Sequence, residues 1–339
     1  MITGIYTKEE ILTEDAYAKP HVEAGYKLHG GFDAEGNYMT PRMKVRAPAV
    51  AGWTERLLAR GWDLVQADAE LLQSGSYPSY EQNKLMIQNG LDQGLWNNLT
   101  ITGVIEGRGG QLCLFTAPDF QEIIVEDISA TAIGHLNKGL LYAHGADEGG
   151  APGSDLGAHD AMWFAVRDQV FGKEAYPIPA IPESIARPDS ERRALAQIPL
   201  AHEQIISLLT NVLMIEIRAE NVFSTTRRIL RDPDLFTDRR DDAVWAAEIV
   251  ERIRQDEAIH VDYLRLVLSE MRSFTFKTVD GGTIAGSELI DPFWAEMVHW
   301  HGVENPRLQV EQTRKDVEKR VLAHPAGDEL WKQMRALDA

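Results

Sequence analysis

Asp256-Glu257-Ala258-Ile259-His260 is the stretch whose residue types and spacing best suit chemistry. It lies within a long helical pattern, so Glu257 and His260, three residues apart, share one face about a turn apart. A carboxylate and an imidazole held that way are two ligands for a transition metal. Upstream, a second long helical pattern carries Glu216 and Glu220, four apart and also on one face. Acidic residues from two neighbouring helices, with a Glu-x-x-His step on one, form carboxylate-bound iron or manganese sites in helix bundles.

The elements that must position these groups are legible as periodicity and breaks. Trp53, Leu57, Leu58, Trp62, Val65 and Leu72 recur at helical spacing, which predicts a helix from about Val50 to a stop at Gly75 and Pro78. A second helix is expected from about Ser79 to Glu106, stopped by Gly107-Arg108-Gly109-Gly110, and a third from about Asp119 to His144. A short helix over about 159–171 and a proline-rich crossover over 172–198 follow. The cleanest helix runs from Pro199 to about Arg231, is broken by Asp232-Pro233-Asp234, and is followed by another over about Asp241–Arg272. The run Ile205–Ile215 is apolar almost all round, as in a central helix. Phe274, Phe276 and Val279 around Asp280-Gly281-Gly282 predict a β-hairpin. Asp291-Pro292 reads as a helix start, and a charged helix over about 307–323 closes the pattern. The predicted architecture is all-α: an irregular arm (1–47), a helical bundle with one long crossover (48–272), and a hairpin with a helical extension (273–339).

Arranged this way, the residues resemble the ferritin-like di-iron carboxylate superfamily, whose pattern is a Glu on one helix and Asp-Glu-x-x-His on the next, used twice. Glu216 or Glu220 followed by Asp256-Glu257-Ala258-Ile259-His260 matches one half. In the other half the corresponding stretch is Thr131-Ala132-Ile133-Gly134-His135, which keeps the histidine but not the acids, and Glu106 lies one turn beyond the expected height, near Thr102. The resemblance implies a four-helix bundle with a metal held by Glu216 or Glu220, Glu257, His260 and His135. It also implies that Asp256 orients His135 by a hydrogen bond. The metal would be iron, as one ion or two, or manganese. Tyr263, one turn past His260, is placed for a role beside the site or for core packing. His144, Asp155, His159 and Asp160 surround a glycine-rich loop and read either as surface residues or as a second small site or lid.

The implied function is activation of O2 to oxidise or hydroxylate a small organic molecule. Two rivals follow from the same residues: a non-catalytic accessory subunit, suggested by the eroded first half, and a metal-dependent enzyme without redox chemistry. The 339 residues carry 52 acidic and 34 basic side chains, a formal charge of -18, which argues against a nucleic-acid partner. Cys113 is the single cysteine, so no intramolecular disulfide forms. No signal-like segment and no apolar run of membrane-spanning length is recognised, so a cytoplasmic protein, plausibly a homodimer, is expected.

Overall fold

Backbone groups of this chain are satisfied mainly within helices. The computed structural model describes residues 4–72, 77–188 and 192–338; Gly75, read above as part of a helix stop, lies outside them. The arm is more ordered than the sequence suggests. A one-turn helix α1 (Lys8–Ile11) with a Thr7/Glu10 capping box precedes two small antiparallel hairpins, β1 (His21–Glu23) with β2 (Tyr26–Leu28) and β3 (Gly31–Phe32) with β4 (Tyr38–Met39). Helix α2 (Met43–Ala59) starts earlier and stops sooner than the apolar spacing predicts. Gly61, at φ 83°, turns the chain out of the helix.

The helix expected over 79–106 is two, α3 (Tyr80–Gln88) and α4 (Gln93–Gly109), separated by a turn at Gly90 (φ 72°). The α-helix ends at Gly109, within the predicted glycine stop, and the chain continues into a 3-10 turn. The helix expected over 119–144 is not formed as such. Short 3-10 turns at 120–122 and 133–135 and a π turn over 136–140 lead into α5 (Leu141–Glu148). Gly139, at φ 111°, is the kink. After α6 (His159–Phe171) and the irregular crossover come α7 (Leu200–Arg231) and α8 (Arg240–Ser273), close to their predicted limits. Pro233 ends α7 because the residue before a proline is held out of the α region: Asp232 sits at ψ 121°. The predicted hairpin is β5 (Thr275–Lys277) with β6 (Thr283–Ala285). Helix α9 (Gly286–His299) starts before Asp291-Pro292 and encloses Pro292, then passes through a π turn (Trp300–Glu304) into α10 (Asn305–Leu322) and α11 (Gly327–Ala336).

Helix α8 is central, packing on α7, α6, α9 and α2, while α4 packs on α6. By length and composition α7 does reach the threshold for crossing a membrane, contrary to the sequence reading. Here its most apolar window is mostly buried within the protein. Two apolar cores share α7 and α8. One includes Leu213, Ile217, Ile259 and Leu264; the other includes Phe223, Val250, Ile253 and Trp163. Along α8 one core ends at Ile253 and the next begins at Ile259, leaving Asp256 and Glu257 at the junction between them.

At the far end of α8, buried Glu270 accepts hydrogen bonds from the backbone N–H groups of Ala132 (3.1 Å) and Ile133 (3.0 Å). Burial outweighs these bonds and pushes its carboxyl up to about 8. The folded state therefore binds this proton more tightly than the unfolded chain. Its contribution is present below the unfolded value near 4.5 and is lost as pH rises through about 8. At ~1.4 kcal/mol per pH unit the effect reaches at most ~5 kcal/mol. Glu270→Gln should flatten the fall in unfolding free energy between pH 5 and 8, measured by urea titration. An unchanged slope would refute the assignment.

Candidate metal centre

Five helices bring their polar residues to the junction of the two cores. Helix α4 gives Glu106; α5 gives His144 and Glu148, four apart on one face; α6 gives His159, its first residue; α7 gives Glu216; and α8 gives Glu257 and His260. The glycines around α5 make this approach sterically feasible. A Cβ on Gly109 would stand 2.8 Å from the Glu148 Cβ, one on Gly110 3.1 Å from the Gly149 Cα, and one on Gly145 2.5 Å from the Cys113 nitrogen. The end of α4 can thus lie directly on α5, with Glu106 beside Glu148. The loop before α6 is pinned to β2, with Gly157 N–H donating to Lys27 O (2.7 Å) and His29 N–H to Gly157 O (2.9 Å). That sets the His29 and His159 rings 5.4 Å apart.

The ligand atoms fall into two groups that share Glu148: His144, Glu148, Glu216 and His260, and Glu106, Glu148, His159 and Glu257. Within each group they lie within 4.8 Å of one another. His144 Nε2 is 3.1 Å from Glu216 Oε1, and His260 Nδ1 is 2.6 Å from Glu257 Oε2 and 3.1 Å from Glu148 Oε1. His159 Nδ1 is 3.0 Å from Glu257 Oε1 and 3.6 Å from both Glu106 and Glu148. Yet Glu148 Oε1, Glu257 Oε1 and His159 Nδ1 are buried without a hydrogen-bond partner among the described residues. They approach one another closely but are not angled to bond to one another.

Each inward-facing imidazole is held from behind by its other nitrogen. His144 Nδ1 is 2.7 Å from the Tyr263 hydroxyl, His260 Nε2 3.2 Å from Asp147 Oδ2, and His159 Nε2 3.3 Å from Asp256 Oδ2. Such contacts fix the ring and leave its remaining nitrogen facing inward. The two aspartates are themselves anchored by the arm and α2. Asp147 pairs with Arg42 and with fully buried Arg46 (2.8 Å). Asp256 meets His29 Nε2 (3.1 Å) and the Tyr38 hydroxyl (2.9 Å).

Three of the four inner carboxylates are raised, while in Glu106 burial is outweighed by hydrogen bonds with His159 and Glu148, which lower it. Burial, then the neighbouring Glu257 and Glu106, pushes Glu148 well above the usual range; burial and Glu257 push Glu216 up to about 7; burial also raises Glu257. Asp147 is held well below the usual range because Arg42 and Arg46 overcome its burial. Hydrogen bonds from His159 and His29 likewise overcome burial and bring Asp256 down to about 2. The outer pair is ionised and compensated. Against their burial, Tyr263 and Glu216 raise His144 to about 10, and Glu257, Asp256, Glu106 and Glu148 raise His159 well above the usual imidazole range, so the inner carboxylates and imidazoles hold protons where a cation would sit.

Of the residues expected from the sequence, Glu216, Glu257 and His260 come together here, Asp256 lies behind His159, and Tyr263 behind His144. Two expected ligands do not join them. Glu220, one turn further along α7, faces Arg254, with Arg254 Nε 3.0 Å from Glu220 Oε2. His135 is buried elsewhere. Its Nε2 accepts from Tyr6 N–H (2.9 Å), its Nδ1 bonds Thr131 O (2.7 Å), and its ring lies on Trp53. The turns over 120–140 carry it away from the junction, and Asp256 orients His159 rather than His135. His144 and His159, read as loop-side residues, are fully or almost fully buried in the cluster; Asp155 is exposed and pairs with Lys27. The signal for the missing half was Asp147-Glu148, a second copy of the Asp256-Glu257 dipeptide. Family models, curated proteins and solved structures were compared with the chain, and none matches.

Proposed function

We propose that the chain is a ferritin-like enzyme that binds two iron or manganese ions at this cluster and uses O2 to oxidise or hydroxylate a small organic molecule. The observation that carries the reading is the set of buried, unpartnered donor atoms on Glu148, Glu257 and His159, converging with four further ligands. The donor set fits the group. Four carboxylates and three imidazoles, with no thiolate, suit iron or manganese, and four negative charges balance two divalent cations. Glu106, His159 and Glu257 would hold one ion, His144, Glu216 and His260 the other, with Glu148 shared. Bound there, such ions supply electron transfer to O2. Hydroxylation with one oxygen atom reduced to water takes two further electrons from an external donor.

The protein's own residues account for the rest. Asp147, Asp256 and Tyr263 fix the three imidazoles, and Arg42, Arg46, His29 and Tyr38 fix the aspartates. The remaining accessibility belongs to the carboxylates (5–9%), while the three imidazoles are 0–1% exposed, so reactants approach from the glutamate side. The surrounding cores exclude bulk water and favour an uncharged, apolar reacting group. The accessory-subunit reading loses the observation that motivated it, since Glu106, Asp147 and Glu148 supply the acids that Thr102, Thr131 and Ala132 lack.

Anaerobic loading with Fe(II) or Mn(II), then desalting and elemental analysis, should give about two ions per chain. Stoichiometric O2 uptake by the iron form would separate oxygen chemistry from a non-redox metal enzyme. Retention of neither metal would refute the proposal.

A further inference from the structure

We infer that the outer face of α7 carries a second, separate site for a small oxyanion, built from the Arg218 guanidinium and the Asn305 side-chain amide. Arg218 is two residues past Glu216, about 200° round the helix, so it faces away from the cluster and towards α10. Its Nη1 lies 3.4 Å from His301 Nδ1, and its Nη2 donates to Gln309 Oε1 (3.1 Å). Neither partner carries a negative charge. His301, fully buried, has its Nε2 3.1 Å from Asn211 Oδ1, which also accepts from Arg187 N–H (2.7 Å). That assigns the proton to Nε2 and turns the Nδ1 lone pair toward Arg218. Burial, with Arg218 and Arg187 nearby, pushes His301 down to about 3, so it stays neutral.

Among the described residues no carboxylate pairs with Arg218, and burial alone lowers it from its ordinary value. This is not for want of acids in a chain of charge -18. Neighbouring Arg187 does have one, Glu296 at 3.1 Å. Asn305 supplies the second, independent observation. It is 8% exposed, and its Nδ2 has no hydrogen-bond partner among the described residues. It lies four residues after His301 and four before Gln309, the two residues that hold Arg218, so all three share one stripe of the π turn and α10. Among the described residues, a half-buried guanidinium without a counter-charge and an unused buried N–H donor on the stripe that holds it lack one negatively charged acceptor. A carboxylate or phosphate group supplies it; water would satisfy Asn305 but leave the charge uncompensated.

The test is a titration of the full, metal-loaded chain with acetate and, separately, inorganic phosphate, at constant ionic strength in chloride-free buffer, followed by calorimetry and thermal melting. At least one anion should bind saturably and raise the melting temperature, and which one does so identifies the headgroup class. Arg218→Gln should abolish the response, and Asn305→Ala should weaken it about tenfold, the loss of one hydrogen bond to a charged group. Metal content should be unchanged in both variants, which separates this site from the metal reading. Failure of both anions to saturate, or an undiminished response in both variants, would show that Arg218 only tethers α10 to α7.

Discussion

Glu148→Gln should empty both halves of the metal centre at once. Its carboxylate is the one group common to the two ligand sets, whereas Glu106→Gln and Glu216→Gln each remove a ligand from one set. After anaerobic Fe(II) loading and dialysis, Glu148→Gln should retain essentially no iron, and the other two about one ion each. Affinity should fall by more than the ~10–100-fold typical of losing an outer hydrogen-bond partner. Glu220→Gln, at the Arg254 ion pair, should retain the wild-type complement. The same substitution should have the opposite effect on the metal-free protein. Burial and the nearby Glu257 and Glu106 destabilise charge on Glu148, so a neutral amide there relieves repulsion and should stabilise the apo-protein by about 1–4 kcal/mol. Two retained ions in Glu148→Gln, or an apo-protein weakened by it, would contradict the shared-ligand arrangement.

The sequence made half of this centre readable, and the reason is local. Along α7 and α8 the ligands sit on long regular helices, where spacing alone fixes which side chains share a face. Counting from the 232–240 turn puts Glu216 level with Glu257, but the spacing usual in the resembled family favours Glu220, so the sequence leaves the two open. The other half lies on short, irregular elements. Glu148 ends an eight-residue helix entered through a π turn, and His159 stands eleven residues later at the start of the next helix. Periodicity carries no information across the intervening glycine loop. The resemblance therefore points to His135, whose stretch keeps the histidine but has Ala132 for the glutamate, and which packs against Trp53 and Tyr6 instead.

The glycines after Glu106 do more than their sequence shows. Gly107, Gly109 and Gly110 read as a helix stop because glycine is a poor helix former, and the α-helix does end at Gly109. Gly109 and Gly110 also permit close approach, so that Glu106 can reach Glu148. The contribution of the arm was not visible at all. His29, Tyr38, Arg42 and Arg46 act through Asp256 and Asp147, contacts that span roughly 100 to 230 residues of sequence.

Those anchored aspartates differ in what stands behind them, and that difference sets the second large effect. Asp147→Asn removes the one carboxylate that pairs with the fully buried Arg46 among the described residues, and leaves Arg42 with only the more exposed Glu14. Leaving a buried guanidinium unpaired costs about 3–5 kcal/mol, so urea melts of the metal-free variant should shift by that amount. Asp256→Asn leaves neighbours of another kind: Tyr38, His29, which burial keeps below its ordinary value, and His159, whose ring still faces Glu257, Glu106 and Glu148. That variant should lose only ~1–2 kcal/mol, the scale of an altered hydrogen bond. Their effects on the metal should nevertheless be alike. An amide in place of either carboxylate can present N–H to His260 Nε2 or His159 Nε2, which favours the tautomer with its proton on the inward nitrogen and its lone pair turned away from the ligand cluster. Iron affinity should therefore fall in both, by ~10–100-fold, while apo-protein stability separates them. Equal stability losses in the two variants would show that the arginines are compensated by something other than Asp147.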